Sequence, residues 1–81
     1  MDIILLCQWG QLDCGKYYGF WIVMTKNYDV IKYKEEIYNT AQDFIDYVAK
    51  TFSRNQYLQW DNITVDIPNR EINFIGRDLR K

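Results

Sequence analysis

Four kinds of side chain in this sequence could do chemistry: the cysteines, the carboxylates, a pair of adjacent tyrosines and the cations near the C-terminal end. The chain has no histidine, so the commonest general base, metal ligand and physiological pH switch is missing. Cys7 and Cys14 have no further Cys or His with which to complete a zinc ligand set, and two cysteines are few for a secreted mini-protein held by disulfides. Both are read as thiols, Cys7 buried in a strand and Cys14 in a loop. Lys16 close to Cys14 would favour the thiolate, but one lysine does not make a reactive centre, and a passive thiol is expected. Glu35, Glu36, Asp61 and Asp66 could serve as acids or bases, yet their spacing fits a polar strand face or a loop equally well. Gly10, Gly15 and Gly19 match neither phosphate-cradling pattern, G-x-G-x-x-G or G-x-x-x-x-G-K-[ST]. The inventory therefore implies a non-enzyme without metal or cofactor.

Binding is better supplied than catalysis. Tyr17 and Tyr18 lie in a glycine-punctuated segment, residues 10–19, beside Asp13 and Lys16. Tyrosine is enriched in binding hot spots because it offers a broad, fairly rigid contact area with a polar end. These four residues are the first candidates for contact with a protein partner. The alternative is a single-stranded nucleic-acid surface, with bases stacked on exposed Tyr and Trp and with Arg70, Arg77, Arg80 and Lys81 meeting phosphates. A formal net charge of −1 argues against a strongly basic nucleic-acid binder.

The elements that must position these residues can be read from periodicity. In Thr40–Phe52, TAQDFIDYVAKTF, residues Ala41, Phe44, Ile45, Val48, Ala49 and Phe52 recur at spacings of three and four, which predicts a helix over 40–53 with one apolar stripe. Thr40 and Asp43 resemble a capping box, and Asp46 with Lys50 has the favourable i,i+4 order. Asp2–Trp9 is apolar on both alternating faces through Leu6 and suits a central strand. Phe20–Thr25 is a second such strand, and residues 26–29 are turn-forming. In Val30–Ile37, Ile31, Tyr33 and Ile37 alternate with Lys32, Lys34 and Glu36, a pattern that suits a charged edge strand with one wet face. Tyr57–Trp60 is short enough to be an ordered loop or a strand, and it reads better as a strand or strand entry. Ile63–Ile67 and Glu71–Ile75 form a hairpin around Pro68 and Asn69, ended by Gly76.

The order β-β-β-α-β-β implies an α+β domain over residues 1–76, an antiparallel sheet of four or five strands with one amphipathic helix on one face, followed by a mobile tail at 77–81. Trp9, Phe20, Trp21, Phe44, Phe52 and Phe74 are expected core aromatics. Two strands apolar on both sides and a single helix leave one sheet face to be covered, either by curling of the sheet or by a partner, for which a homodimer is the simplest arrangement.

The run Ile3–Cys7 is too short to span a bilayer and follows no basic leader, so a soluble, cytoplasmic protein is expected. In size, in its Ile, Tyr and Asn content and in its lack of a catalytic set, the chain resembles small phage or mobile-element proteins that inhibit host defence systems, anti-CRISPR proteins among them. The likeness is one of composition. It implies an inhibitor acting by protein binding in the host cytoplasm.

Overall fold

A computed structural model of the chain describes residues 1–80. Five strands, β1 (Asp2–Gln11), β2 (Tyr17–Thr25), β3 (Val30–Tyr38), β4 (Leu58–Asp66) and β5 (Glu71–Asp78), form one sheet in the order β3-β2-β1-β5-β4. Every neighbouring pair is antiparallel. The doubly apolar β1 is the central strand and the charge-rich β3 is an edge, as their sequences imply.

Between β3 and β4 the chain forms α1 (Ala41–Val48), which runs on without a break into a π-helical turn, Ala49–Ser53. Thr40 caps the start, its hydroxyl oxygen accepting the Asp43 N–H at 3.1 Å. The expected Asp46–Lys50 pair is not formed; Asp46 instead accepts a 2.8 Å hydrogen bond from the Gln42 side chain, one turn earlier on the same exposed face. The π turn closes with a bond from Arg54 N–H to the Ala49 carbonyl. The Phe52 carbonyl accepts the Trp60 indole N–H at 3.0 Å, which ties the end of the helix to β4.

Phe44, Val48 and Phe52 point at the sheet and are buried. They meet Leu5, Cys7 and Trp9 of β1, Trp21 of β2, and Ile72 and Phe74 of β5. The register explains the set: Cys7 lies opposite Trp21 and Ile72, and Leu5 opposite Val23 and Phe74, so these side chains share one face. α1 sits over β1, β2 and β3. Close approach requires Gly19, because a Cβ there would overlap the Phe44 ring. The helix does not reach all of β4, where Ile63 and Val65 point to the helix side yet stay exposed at 46% and 56%.

Several expected boundaries move. The segment 10–19 is mostly strand: β1 runs to Gln11, β2 begins at Tyr17, and the turn shrinks to residues 12–16. Gly76 does not end β5; it pairs with Ile3 and Trp60 inside the ladder, and Arg77 and Asp78 continue the strand. The pairing across two neighbours overrides the breaker tendency of glycine, so the first two residues of the expected tail at 77–81 are strand, and the Leu79 N–H is bonded to the Tyr57 carbonyl. β4 is one strand from Leu58 to Asp66, with a bulge at Asp61 that separates the two segments read from the sequence. The left-handed backbone positions in the two turns fall on Tyr28 (φ 67°) and Arg70 (φ 55°), not on the neighbouring Asn or Asp residues.

Candidate protein-binding face

The side of the sheet opposite α1 carries no element of the described chain. Antiparallel register assigns its residues directly. Ile4 pairs with Met24 and Ile75, and Leu6 pairs with Ile22, so these five side chains stand together on that face of β2, β1 and β5. Ile22 pairs in turn with Tyr33, Phe20 with Glu35, and Tyr18 with Ile37, which carries the apolar band outward onto β3. Phe20 and Tyr33 touch with ring centroids 6.1 Å apart. Ile37 and Tyr33 are more than half exposed, at 57% and 52%, and Ile75 is 51% exposed. Ile4, Leu6, Phe20 and Ile22 are half-buried by their strand neighbours alone.

Five strands about 4.8 Å apart, with roughly seven paired residues rising about 3.3 Å each, give this face a flat footprint of about 500 Å². Polar residues confine the apolar band to one part of the footprint. Gln8 donates to Glu71 at 3.2 Å and Asn73 donates to Glu71 at 2.7 Å, forming a hydrogen-bonded corner on β1 and β5. The Tyr33 hydroxyl donates to Glu35 at 2.7 Å, a bond that, first among its causes, lifts the phenol above its ordinary range.

The assignment of β3 reverses the expectation that its charged side would be the wet one, away from the core. Lys34 lies opposite buried Trp21 and Glu36 opposite Gly19, so Lys32, Lys34 and Glu36 stand on the helix side. The apolar side chains Tyr33 and Ile37 occupy the open face instead. The lysines are accommodated because α1 leaves the margin of this edge strand uncovered. Lys34 Nζ lies 5.5 Å from the Tyr47 ring centroid and 3.0 Å from Glu36, and Lys32 Nζ lies 5.8 Å from that of Trp21. Hydrogen bonding to Glu36 is the main reason the Lys34 pKa is raised. Tyr38 beside it is pushed up to about 12, first by desolvation and then by the Glu36 charge. Ile31 falls in a β-bulge, which turns it away from the Tyr33–Ile37 alternation.

The four residues expected to form a protein contact do not act as one cluster. Tyr17 faces the helix side and packs against the core, whereas Tyr18 faces the open side. The Tyr18 ring lies across Gly10, where a Cβ would come within 2.6 Å of it. Asp13 and Lys16 are exposed in the turn at the tip of the β1–β2 hairpin. Only Tyr18 joins the apolar band. Sequence reasoning missed Phe20 as a surface residue, placing it in the core; its register with Gln8 and Glu35 puts it on the open face.

The basic residues are dispersed as well. Arg70 precedes β5 and Arg80 follows it, so they lie at opposite ends of the strand. Arg77 is 3.8 Å from Asp61, and Arg80 is 2.9 Å from Asp78. Hydrogen bonds from Arg80 are the leading cause that holds the Asp78 carboxyl below its usual range. Lys81 lies outside the described residues.

Cys7 is buried and Cys14 is exposed, and both are free thiols. Among the described residues no group of three His, Cys, Asp or Glu side chains is placed to hold a metal ion. No helix there is long and apolar enough to cross a membrane. The fold is a five-stranded antiparallel α+β sheet with one helix. No family model matches this chain, no curated protein matches it, and no solved structure matches it.

Proposed function

We propose that this chain is a non-enzymatic protein-binding module whose contact surface is the helix-free face of its sheet. The observation that carries the reading is the contiguous apolar band of Ile4, Leu6, Tyr18, Phe20, Ile22, Tyr33 and Ile37, which no part of the described chain covers. Apolar side chains held in register on rigid strands lose little conformational entropy on binding. A polar margin at Glu35, Glu71 and Asn73 gives the surface the core-and-rim arrangement of protein interfaces. A second copy is the simplest occupant, since two such faces can pack as aligned sheets about 10 Å apart. The finer reading, an inhibitor of a host defence complex carried by a phage or mobile element, rests on composition and uses the same surface.

The single-stranded nucleic-acid alternative has weaker support. The open face offers Tyr18, Phe20 and Tyr33 for stacking, but its carboxylates Glu35 and Glu71 oppose phosphate, and its cation Arg77 is near Asp61.

Sedimentation velocity over a range of concentrations, with Ile22→Lys as the comparator, tests the proposal. The wild-type chain is expected to self-associate, or to retain a protein from its native host on a column, and folded Ile22→Lys to lose either interaction. Association that Ile22→Lys leaves unchanged, or no association of either kind, would sink the reading. Retention of nucleic acid that falls steeply with salt would favour the alternative.

A further inference from the structure

On the helix side, a groove of about 410 Å³ opens where the π turn leaves the sheet uncovered, between the start of β1, the end of β2 and the start of β4. Its volume is within the range of about 300–1,000 Å³ typical of small-molecule sites. It lies across the sheet from the proposed protein-binding face and does not depend on that reading. Ile3, Val23, Leu58 and Trp60 give it apolar walls, and Lys32, Lys34 and Arg80 bring positive charge to it against the one carboxylate of Asp78.

Two features of the groove are unspent. Both Trp60 and Trp21 line it, and the Trp60 indole N–H is bonded to the Phe52 carbonyl. The Trp21 indole N–H is buried with no acceptor among the described residues. A buried donor left unpaired costs on the order of 1–3 kcal/mol, and an acceptor supplied from outside would remove that cost. The cations differ in the same way. Lys34 is paired with Glu36 and Arg80 with Asp78, whereas Lys32 has no carboxylate partner among the described residues. Lys32 Nζ lies over the Trp21 ring, 5.8 Å from its centre, so the free cation sits on the same side chain that carries the free donor.

We propose that this groove binds a small alkyl monocarboxylate. Its carboxylate is held between the Lys32 ammonium and the Trp21 indole N–H, and its chain lies against Ile3, Val23, Leu58 and Trp60. The Trp21 indole nitrogen is buried, so binding requires the exposed Lys32 side chain over the ring to shift as the acceptor reaches it. Charge complementarity selects an anion, the Lys32 cation over the Trp21 ring selects one carboxylate at that end of the groove, and the apolar walls select a hydrocarbon body. A cationic amphiphile would meet like charge, and a neutral alcohol would forgo the ion pair.

The probes are decanoate, decan-1-ol and decylammonium, titrated into the full chain and followed by two-dimensional ¹H–¹⁵N NMR. Three tryptophans give separate indole signals. Decanoate is expected to bind saturably and to move the Trp21 indole proton downfield as it gains an acceptor, with a smaller change at Trp60, whose N–H is already bonded. Decan-1-ol should bind at least about tenfold more weakly and decylammonium more weakly still, on the scale of a charge-assisted hydrogen bond. Lys32→Gln, a change at an exposed edge-strand side chain, should weaken decanoate about tenfold and leave decan-1-ol unchanged. Trp21→Phe, which removes the donor together with part of the ring volume, should weaken decanoate more than it weakens decan-1-ol. The proposal is overturned if decanoate does not bind at millimolar concentration or if all three probes bind alike. It is equally overturned if Lys32→Gln leaves the decanoate affinity intact, or if the shifts map to Ile4, Leu6 and Ile22 on the other face.

Discussion

The two faces of the sheet are built from similar residues and have different fates. On the helix side of β1, Ile3, Leu5, Cys7 and Trp9 are buried, with Leu5 and Cys7 wholly inaccessible. On the other side, Ile4 and Leu6 of the same strand keep partial access to solvent, and their neighbours Ile75, Tyr33 and Ile37 are about half exposed. Residue hydrophobicity does not separate the two sets. What separates them is a single helix, whose Phe44, Val48 and Phe52 complete the packing on one side and leave the other without a second layer. The edge strand makes the same point in reverse, since Lys32 and Lys34 lie on the helix side and Tyr33 and Ile37 on the open one. An apolar strand face becomes core only where another element reaches it.

The sharpest way to break this comparison is to truncate one side chain on each face. Phe44→Ala should lower stability in urea by about 3–5 kcal/mol, the cost of a large cavity in a closed core. Ile37→Ala, on the open face, should change it by no more than about 0.5 kcal/mol. Similar losses from the two would mean that the faces are not energetically distinct.

The closed side should also show itself at high pH. Burial lifts the Cys7 thiol from 9.0 to about 12, so the folded state holds that proton more tightly than the unfolded chain does. The stability linked to this group is complete below pH 9 and is lost as pH rises toward 12, with a slope of at most about 1.4 kcal/mol per pH unit. Cys7→Ala should reduce the loss that begins near pH 9, while the part due to Tyr38, whose pKa is also about 12, persists at higher pH. At neutral pH a disulfide reagent should label Cys14 and leave Cys7 untouched; equal labelling would contradict the closed face.

Removing the cap probes how far the helix side depends on the start of its helix. Thr40→Ala should cost about 1 kcal/mol, since the Asp43 N–H loses its acceptor. An unchanged urea midpoint would show that packing alone holds the first turn. The smallest stability effect is expected at the adjacent tyrosines, which lie on different faces. Tyr18→Ala should leave stability within about 0.5 kcal/mol and weaken partner binding, whereas Tyr17→Ala should lower stability more and leave binding intact. The opposite pattern would exchange the roles assigned to the two sides.

Much of this architecture was legible in the sequence because its signals are local or periodic. The helix, its Thr40 cap and its Phe44–Val48–Phe52 stripe follow from the spacing of residues within the segment. The central position of β1 follows from its doubly apolar run, and the edge position of β3 from its charges. The candidate surface was less legible. The tyrosines at 17 and 18 drew attention to a loop, but alternation along β2 sends them to opposite faces, and only the pairing register shows which one joins Phe20 and Ile22. Phe20 was misread for the same reason, since composition cannot distinguish an inward aromatic from an outward one on a strand apolar on both sides.

The sequence by itself determined the elements, their order, the capped amphipathic helix and a chemical inventory without histidine. These depend on side-chain type and on contacts a few residues apart. Tertiary structure alone decided which sheet face the helix covers, that Gly76 lies inside a strand, that Lys32 stands over the Trp21 ring, and that Tyr33 and Ile37 extend the apolar band. Those outcomes depend on register, and a shift of one residue in any strand pairing would move each side chain of that strand to the other face.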